Sequence, residues 1–137
     1  MAELHHKSAT VADRDTVAPN MEAAAIKAVG RVFTAWGLGT AAGAKLLGVS
    51  DRTWLRMKAN AWNGALSDDQ LTRASAIIGV YKGLHLYFGE DLADRWVTLP
   101  NGGPLFQGVS PAAFMADHGL LGLVETRNYI DAIRGGV

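Results

Sequence analysis

The chain has 137 residues, 49% of them apolar, enough for one domain or for two small ones sharing a core. Its 13 lysines and arginines balance 13 aspartates and glutamates, which excludes a strongly basic nucleic-acid coat. It has no cysteine, so disulfides, thiolate metal sites and a cysteine nucleophile are excluded.

The charge balance hides an asymmetry. Segment 40–83 has six basic residues (Lys45, Arg52, Arg56, Lys58, Arg73, Lys82) against three acidic ones, a net of +3. Segment 84–137 has three basic residues against six acidic ones (Glu90, Asp91, Asp94, Asp117, Glu125, Asp131), a net of −3. Opposite signs on the two halves point to two different partners, against the plainer alternative of unevenly charged solvated faces. No apolar run approaches the ~18 residues of a membrane helix. Met1–Lys7 are polar and lack a signal-peptide core, so the cytoplasm is the expected compartment.

Residues 1–19 are polar, without apolar periodicity, and end at Pro19; they are expected to form a flexible N-terminal arm. Asn20 can cap a helix over Met21–Trp36, with Ile26, Val29, Val32, Phe33 and Trp36 on one face, stopped by Gly37 and Gly39.

The stretch Thr40–Asn60 reads as a helix-turn-helix. Ala41, Ala44 and Leu47 are at helical spacing, and Gly48 sits where a sharp turn needs positive φ. Val49 fills the angle between the helices and Ser50 caps the second one. On that second helix Trp54, Leu55 and Met57 are expected to face inward. Arg52, Thr53, Arg56 and Lys58 remain for the other side and are the candidate DNA-binding residues. A helix with two arginines near its start suits a DNA major groove; the alternative is an ordinary αα-hairpin.

Asn63-Gly64 marks a turn. Ser67-Asp68-Asp69-Gln70 is a capping box opening a helix with Leu71, Ala74, Ile78, Tyr81 and Leu84 or His85 as its stripe. Gly83 weakens this helix without ending it. Leu92–Val97 reads as a short amphipathic helix with Trp96 inward as a core anchor. Leu99–Pro104 is a loop. Ser110-Pro111 restarts a helix, and a last one runs from about Leu120 to Ile133 after a junction near His118-Gly119. No strand pattern of period two stands out, so the class is all-α. The chain divides into an arm (1–19), a helix-turn-helix domain (20–83) and a C-terminal helical domain (84–137).

Several suggestive patterns carry little chemistry. Gly37-x-Gly39-x-x-x-Gly43 resembles a dinucleotide fingerprint, but a helix pattern precedes it where a strand is required. The histidines (His5, His6, His85, His118) form no H-x-x-x-H pair, so no metal site is expected. Asp68-Asp69 and Glu90-Asp91 sit at helix starts, where negative charge is favourable anyway. No nucleophile–base–orienter set is recognisable, so no enzyme and no cofactor are expected.

Three pieces of the second half fall in order: Asp94-Arg95-Trp96-Val97, Leu99-Pro100-Asn101, and Leu105-Phe106-Gln107-Gly108-Val109-Ser110-Pro111, then a helix ending in glycine. This series resembles the toxin-binding domain of the Xre/MbcA/ParS antitoxins, the ParS type in particular, over about residues 84–137. Family antitoxins also carry a helix-turn-helix ahead of it. The resemblance implies an all-α homodimer that neutralises a RES-domain toxin, an enzyme that breaks down NAD or transfers its ADP-ribose. It implies that the C-terminal helix and tail, here Arg127 through Val137, lie at the toxin's cleft, and that the complex binds its own operator and represses its operon. The Pro100–Leu105 loop is longer than the usual linker, and the tail stops at Gly-Gly-Val.

On that basis the candidate toxin contacts are Phe106, Arg127, Tyr129, Ile130, Ile133, Arg134, Gly135, Gly136 and Val137. Tyrosine and arginine are enriched at interfaces; the alternative for Tyr129 and Arg134 is a solvated last turn, with the arginine at the negative end of the helix dipole. The competing function is a stand-alone helix-turn-helix transcriptional regulator whose second half serves only for dimerisation or ligand response.

Overall fold

The computed structural model describes residues 20–135, which hold six helices and no strand. These are α1 (residues 20–35), α2 (Thr40–Leu47), α3 (Asp51–Lys58), α4 (Asp68–Tyr87), α5 (Glu90–Trp96) and α6 (Pro111–Arg134). The expected arm at 1–19 lies outside the described residues. Among the described residues no helix is long and apolar enough to cross a membrane.

α1, α2 and α3 close on an aromatic centre. Val29, Val32, Phe33 and Trp36 of α1 are buried, and Phe33 meets Trp54 of α3 edge-on at 5.4 Å. The α2–α3 turn forms as its residues require. Gly48 takes φ 81° and its N–H closes α2 on the Ala44 carbonyl, a conformation glycine adopts without a Cβ clash. Ser50 Oγ then accepts from Thr53 N at 3.0 Å, capping α3. Two expectations for this unit are corrected. Ala41 is exposed, and Gly43, Ala44, Leu46 and Leu47 are the buried residues of α2. Leu55 does not face inward: only Trp54 and Met57 of α3 are buried. Helix geometry explains this, since the direction from the axis toward α1 bisects Trp54 and Met57 and leaves Leu55 across the axis.

The Ser67–Gln70 capping box forms in both directions, at 2.9 and 3.1 Å. Gln70 also donates through Nε2 to the Gly48 carbonyl, tying the start of α4 to the helix-turn-helix. α4 runs unbroken through Gly83 to Tyr87. Its buried residues are Ala74, Ala76, Ile77, Val80, Gly83 and Leu84, so Ile78 and Tyr81 are flank rather than stripe. The reason is that α4 packs against α6, α5 and α2 together, and a helix covered on several sides has no single apolar stripe.

Two glycines let α6 approach α4. A Cβ on Gly79 would lie 2.5 Å from Arg127 Nε, and one on Gly83 would lie 2.8 Å from Ile130 Cγ2. α6 starts as expected, with Ser110 Oγ accepting from Ala113 N and Pro111 in the first turn. The expected junction at His118-Gly119 is a kink at Gly119, with φ 61° and ψ −140°, a backbone region open essentially to glycine alone.

Candidate functional site

Two surfaces carry the candidate residues. The first is α3. One turn holds 3.6 residues, so Arg52, Leu55 and Arg56 share a face opposite Trp54 and Met57. All three are exposed. Thr53 is half-exposed, and its hydroxyl accepts from Ser50 Oγ, so it belongs to the cap. Arg56 folds toward the end of the helix, its Nη2 donating to the Ala61 carbonyl at 3.3 Å. Lys58 lies on the flank with Nζ 5.9 Å from the Trp54 ring centre. Arg52 thus stands nearest the centre of this face, with Leu55 on one side of it and Arg56 on the other, and Asp51 is its one acidic neighbour on α3.

The second surface is the C-terminal half of α6 with the loop between α5 and α6. That loop is closed by its own backbone: Asn101 N donates to Val109 O, Gly108 N to Asn101 O, and Ala112 N to Val97 O. Asn101 Oδ1 accepts from Gly103 N at 2.8 Å, forming an Asx turn at its entrance. Phe106 points inward from the loop into an aromatic group, edge-on to Trp96, Phe114 and Tyr129 at 5.6, 5.3 and 5.3 Å.

These positions sort the expected toxin contacts. Phe106 is 2% exposed and Ile130 is fully buried, so both are corrected from contact to core. Phe106 anchors the loop, and Ile130 fills the notch over Gly83. Arg127 is half-buried along α4 at Gly79. Tyr129 is half-buried, stacked on Trp96 at 6.3 Å, and Ile133 is half-buried. Arg134 and Gly135 are exposed, with Arg134 Nη2 3.4 Å from Asp131 Oδ1. Gly136 and Val137 lie outside the described residues. Trp96, expected as a core anchor, is half-buried and serves as the shared wall of Phe88, Phe106 and Tyr129.

The structure adds surface residues that periodicity did not single out. Leu86 is 71% exposed, and Tyr87 and Leu92 beside it are also exposed, at the corner where α4 meets α5. The run Leu84–Phe88 is apolar except for His85, wider than one helix face needs, and that excess was the available signal. The corner itself is held by His85, whose Nε2 lies 2.9 Å from Asp94 Oδ1 and whose ring packs on Tyr81 at 4.2 Å. Among the described residues no group of histidines and carboxylates is gathered as a metal site would require.

Comparison with known proteins divides the chain along the same lines. Residues 15–79 match the model of the antitoxin Xre-like helix-turn-helix domain, and residues 83–136 match that of the antitoxin Xre/MbcA/ParS C-terminal toxin-binding domain. The boundary between the matches falls inside the continuous α4. The chain is also 32% identical over 114 residues to the uncharacterized protein y4oB of Sinorhizobium fredii (strain NBRC 101917 / NGR234), an alignment covering 82% of this chain and 86% of that one.

Proposed function

The chain belongs to the Xre/MbcA/ParS family of antitoxins, and from that premise we propose that it neutralises a RES-domain toxin that breaks down NAD or transfers its ADP-ribose. Neutralisation is by occlusion: the C-terminal end of α6 and the tail cover the toxin's cleft, and no chemistry by this chain is required. The observation that carries this reading is the layout of α6. Its inward residues, Ile130 above all, fix the helix on α4, while Arg134 and Gly135 project beyond the last packed position, Ile133. The contacts are Arg134, Gly135 and the tail, with the open edges of Arg127, Tyr129 and Ile133.

α3 serves the second partner. In a homodimer two copies of α3 would enter successive major grooves ~34 Å apart on a near-palindromic operator, repressing the operon. Arg52, Arg56 and Lys58 supply the positive charge, and Thr53 holds the cap that orients them. Both partners place the protein in the cytoplasm, where NAD and DNA are found.

The test is whether a gene adjacent to this chain's encodes a small RES-like protein, followed by co-expression of the two. Growth and cellular NAD should fall with that protein alone and recover with the pair, and the two should co-purify. A toxin that stays active against a chain still able to bind its operator would leave a stand-alone regulator.

A further inference from the structure

We propose that Leu55 reads the C5-methyl group of a thymine in the DNA major groove, beside a guanine read by Arg52. The proposal rests on the DNA-binding reading of α3 above and adds a base and a contact to it.

The argument starts from which outward side chains of α3 are uncommitted. Recognition helices contact base edges with residues near their N-termini. In that part of α3, Thr53 is tied to Ser50, and Arg56 is drawn to the Ala61 carbonyl beyond the helix end. Lys58 sits on the flank by Trp54. Arg52 and Leu55 remain, one turn apart on the outward face. Leu55 is 51% exposed, whereas Trp54 and Met57 of the same helix are almost fully buried. Position gives this otherwise ordinary exposed leucine a meaning: it lies beside Arg52, which stands nearest the centre of the outward face, and on the side of Arg52 away from Arg56.

An isobutyl group has no donor or acceptor, so it cannot read the polar pattern of a base pair. The apolar feature of the major-groove edges is the thymine C5-methyl, while arginine matches the O6 and N7 acceptors of guanine. Side chains at i and i+3 have Cβ atoms about 5–6 Å apart, and stacked bases rise ~3.4 Å per step. The guanine and the thymine are therefore adjacent or one base apart in each half-site. Charge selects DNA over a protein as the occupant. Arg52, Arg56 and Lys58 share α3 with the leucine against Asp51 alone, which suits a polyanion and would oppose a second copy of the same face.

The test uses the full chain and a duplex enriched from a random-sequence library by the wild-type protein. Each thymine of that duplex is then replaced by uracil, which removes the methyl and nothing else. One position per half-site should weaken wild-type binding about fourfold, the worth of one buried methyl-sized group. Leu55→Ala should have lost that sensitivity at that position, with an unchanged unfolding midpoint and an unchanged guanine preference. Arg52→Ala should relax the guanine position and keep the uracil effect. Overturning results are a wild-type protein indifferent to every uracil, or a Leu55→Ala variant with the wild-type uracil profile. A change in oligomeric state or toxin affinity in Leu55→Ala, with that profile intact, would assign the leucine to a protein contact instead. If no duplex is enriched at all, the DNA-binding reading itself fails, and the inference with it.

Discussion

Arg73, in the second turn of α4, donates through Nη1 to the carbonyl of Leu46 at the end of α2, 3.4 Å away. The same guanidinium is held from below by Asp69, whose Oδ2 is 2.8 Å from Nε. It also lies against the two bends of the chain. A Cβ on Gly48 would be 3.0 Å from its Nε, and one on Gly119 would be 3.4 Å from its Nη2. One side chain thus fills the space between the helix-turn-helix turn, α4 and the kink of α6. It is only 18% exposed, so the arrangement counts for more than a surface ion pair. Arg73→Ala should destabilise the protein by about 1–3 kcal/mol, by leaving the Leu46 carbonyl short of a donor and emptying the packed space. Arg73→Lys should recover less than half of that, because an ammonium cannot fork between Asp69 and Leu46. Urea unfolding of the two variants decides this. Losses below about 0.5 kcal/mol in both would make Arg73 a surface residue.

Phe106 and Trp96 should rank in the order of their burial. Phe106→Ala removes a fully enclosed ring that holds the α5–α6 loop to Tyr129 and Phe114, and should cost about 3–5 kcal/mol. Trp96 is half-buried, so Trp96→Ala should cost roughly half as much. Thermal or urea unfolding gives the ranking; the reverse order would mean that the loop is not anchored through Phe106.

The two close-approach glycines of α4 separate a rigid neighbour from a pliable one. Gly83→Ala gains about 1 kcal/mol of helix propensity, but its methyl would meet Ile130 Cγ2 in a fully buried site. Forcing Ile130 aside should cost about 1–3 kcal/mol, leaving a net loss. Gly79→Ala meets the outer part of Arg127, a long side chain at a half-buried edge that can swing away. It should be neutral or slightly stabilising. Equal effects at both positions, read from denaturant midpoints, would contradict this packing of α6 on α4.

The local signals were legible because each is complete within a few residues. The Gly48 turn, the Ser50 and Ser110 caps and the Ser67–Gln70 box need no partner from elsewhere in the chain. The family resemblance was legible for the same reason, as ordered short motifs. What failed was the assignment of faces, which distant helices decide. Leu55 and Trp54 are adjacent and both apolar; the position of Phe33 on α1 determines which one is buried. The burial of Phe106 depends on ring contacts from Trp96, Phe114 and Tyr129, and a loop residue has no periodicity to announce it. Ile130 and Arg127 are one turn apart on α6, yet one is core and the other an edge, because Gly83 and Gly79 of α4 receive them differently.

The C-terminal end separates neutralisation from folding. Ile133 is the last side chain in α6 packed even in part, while Arg134 and Gly135 are exposed and touch only their own turn. Deleting Arg134–Val137 therefore removes no core contact among the described residues, and the unfolding midpoint should stay within about 2 °C of the full chain, given roughly 2–4 °C per kcal/mol for chains of 150 residues and upward and somewhat more for smaller ones. The consequence for the toxin should be large. On the proposed reading the toxin's cleft takes NAD, and Gly135-Gly136-Val137 is a run of small residues suited to entering a narrow cleft. Cells expressing the toxin should lose most of their protection with the truncated chain, and a pull-down should show weakened or absent capture. The same truncation should leave operator binding unchanged, since α3 is untouched. Full protection by the truncated form would exclude tail insertion and move the contact to the open edges of Tyr129 and Ile133, or to the exposed Leu86–Leu92 corner.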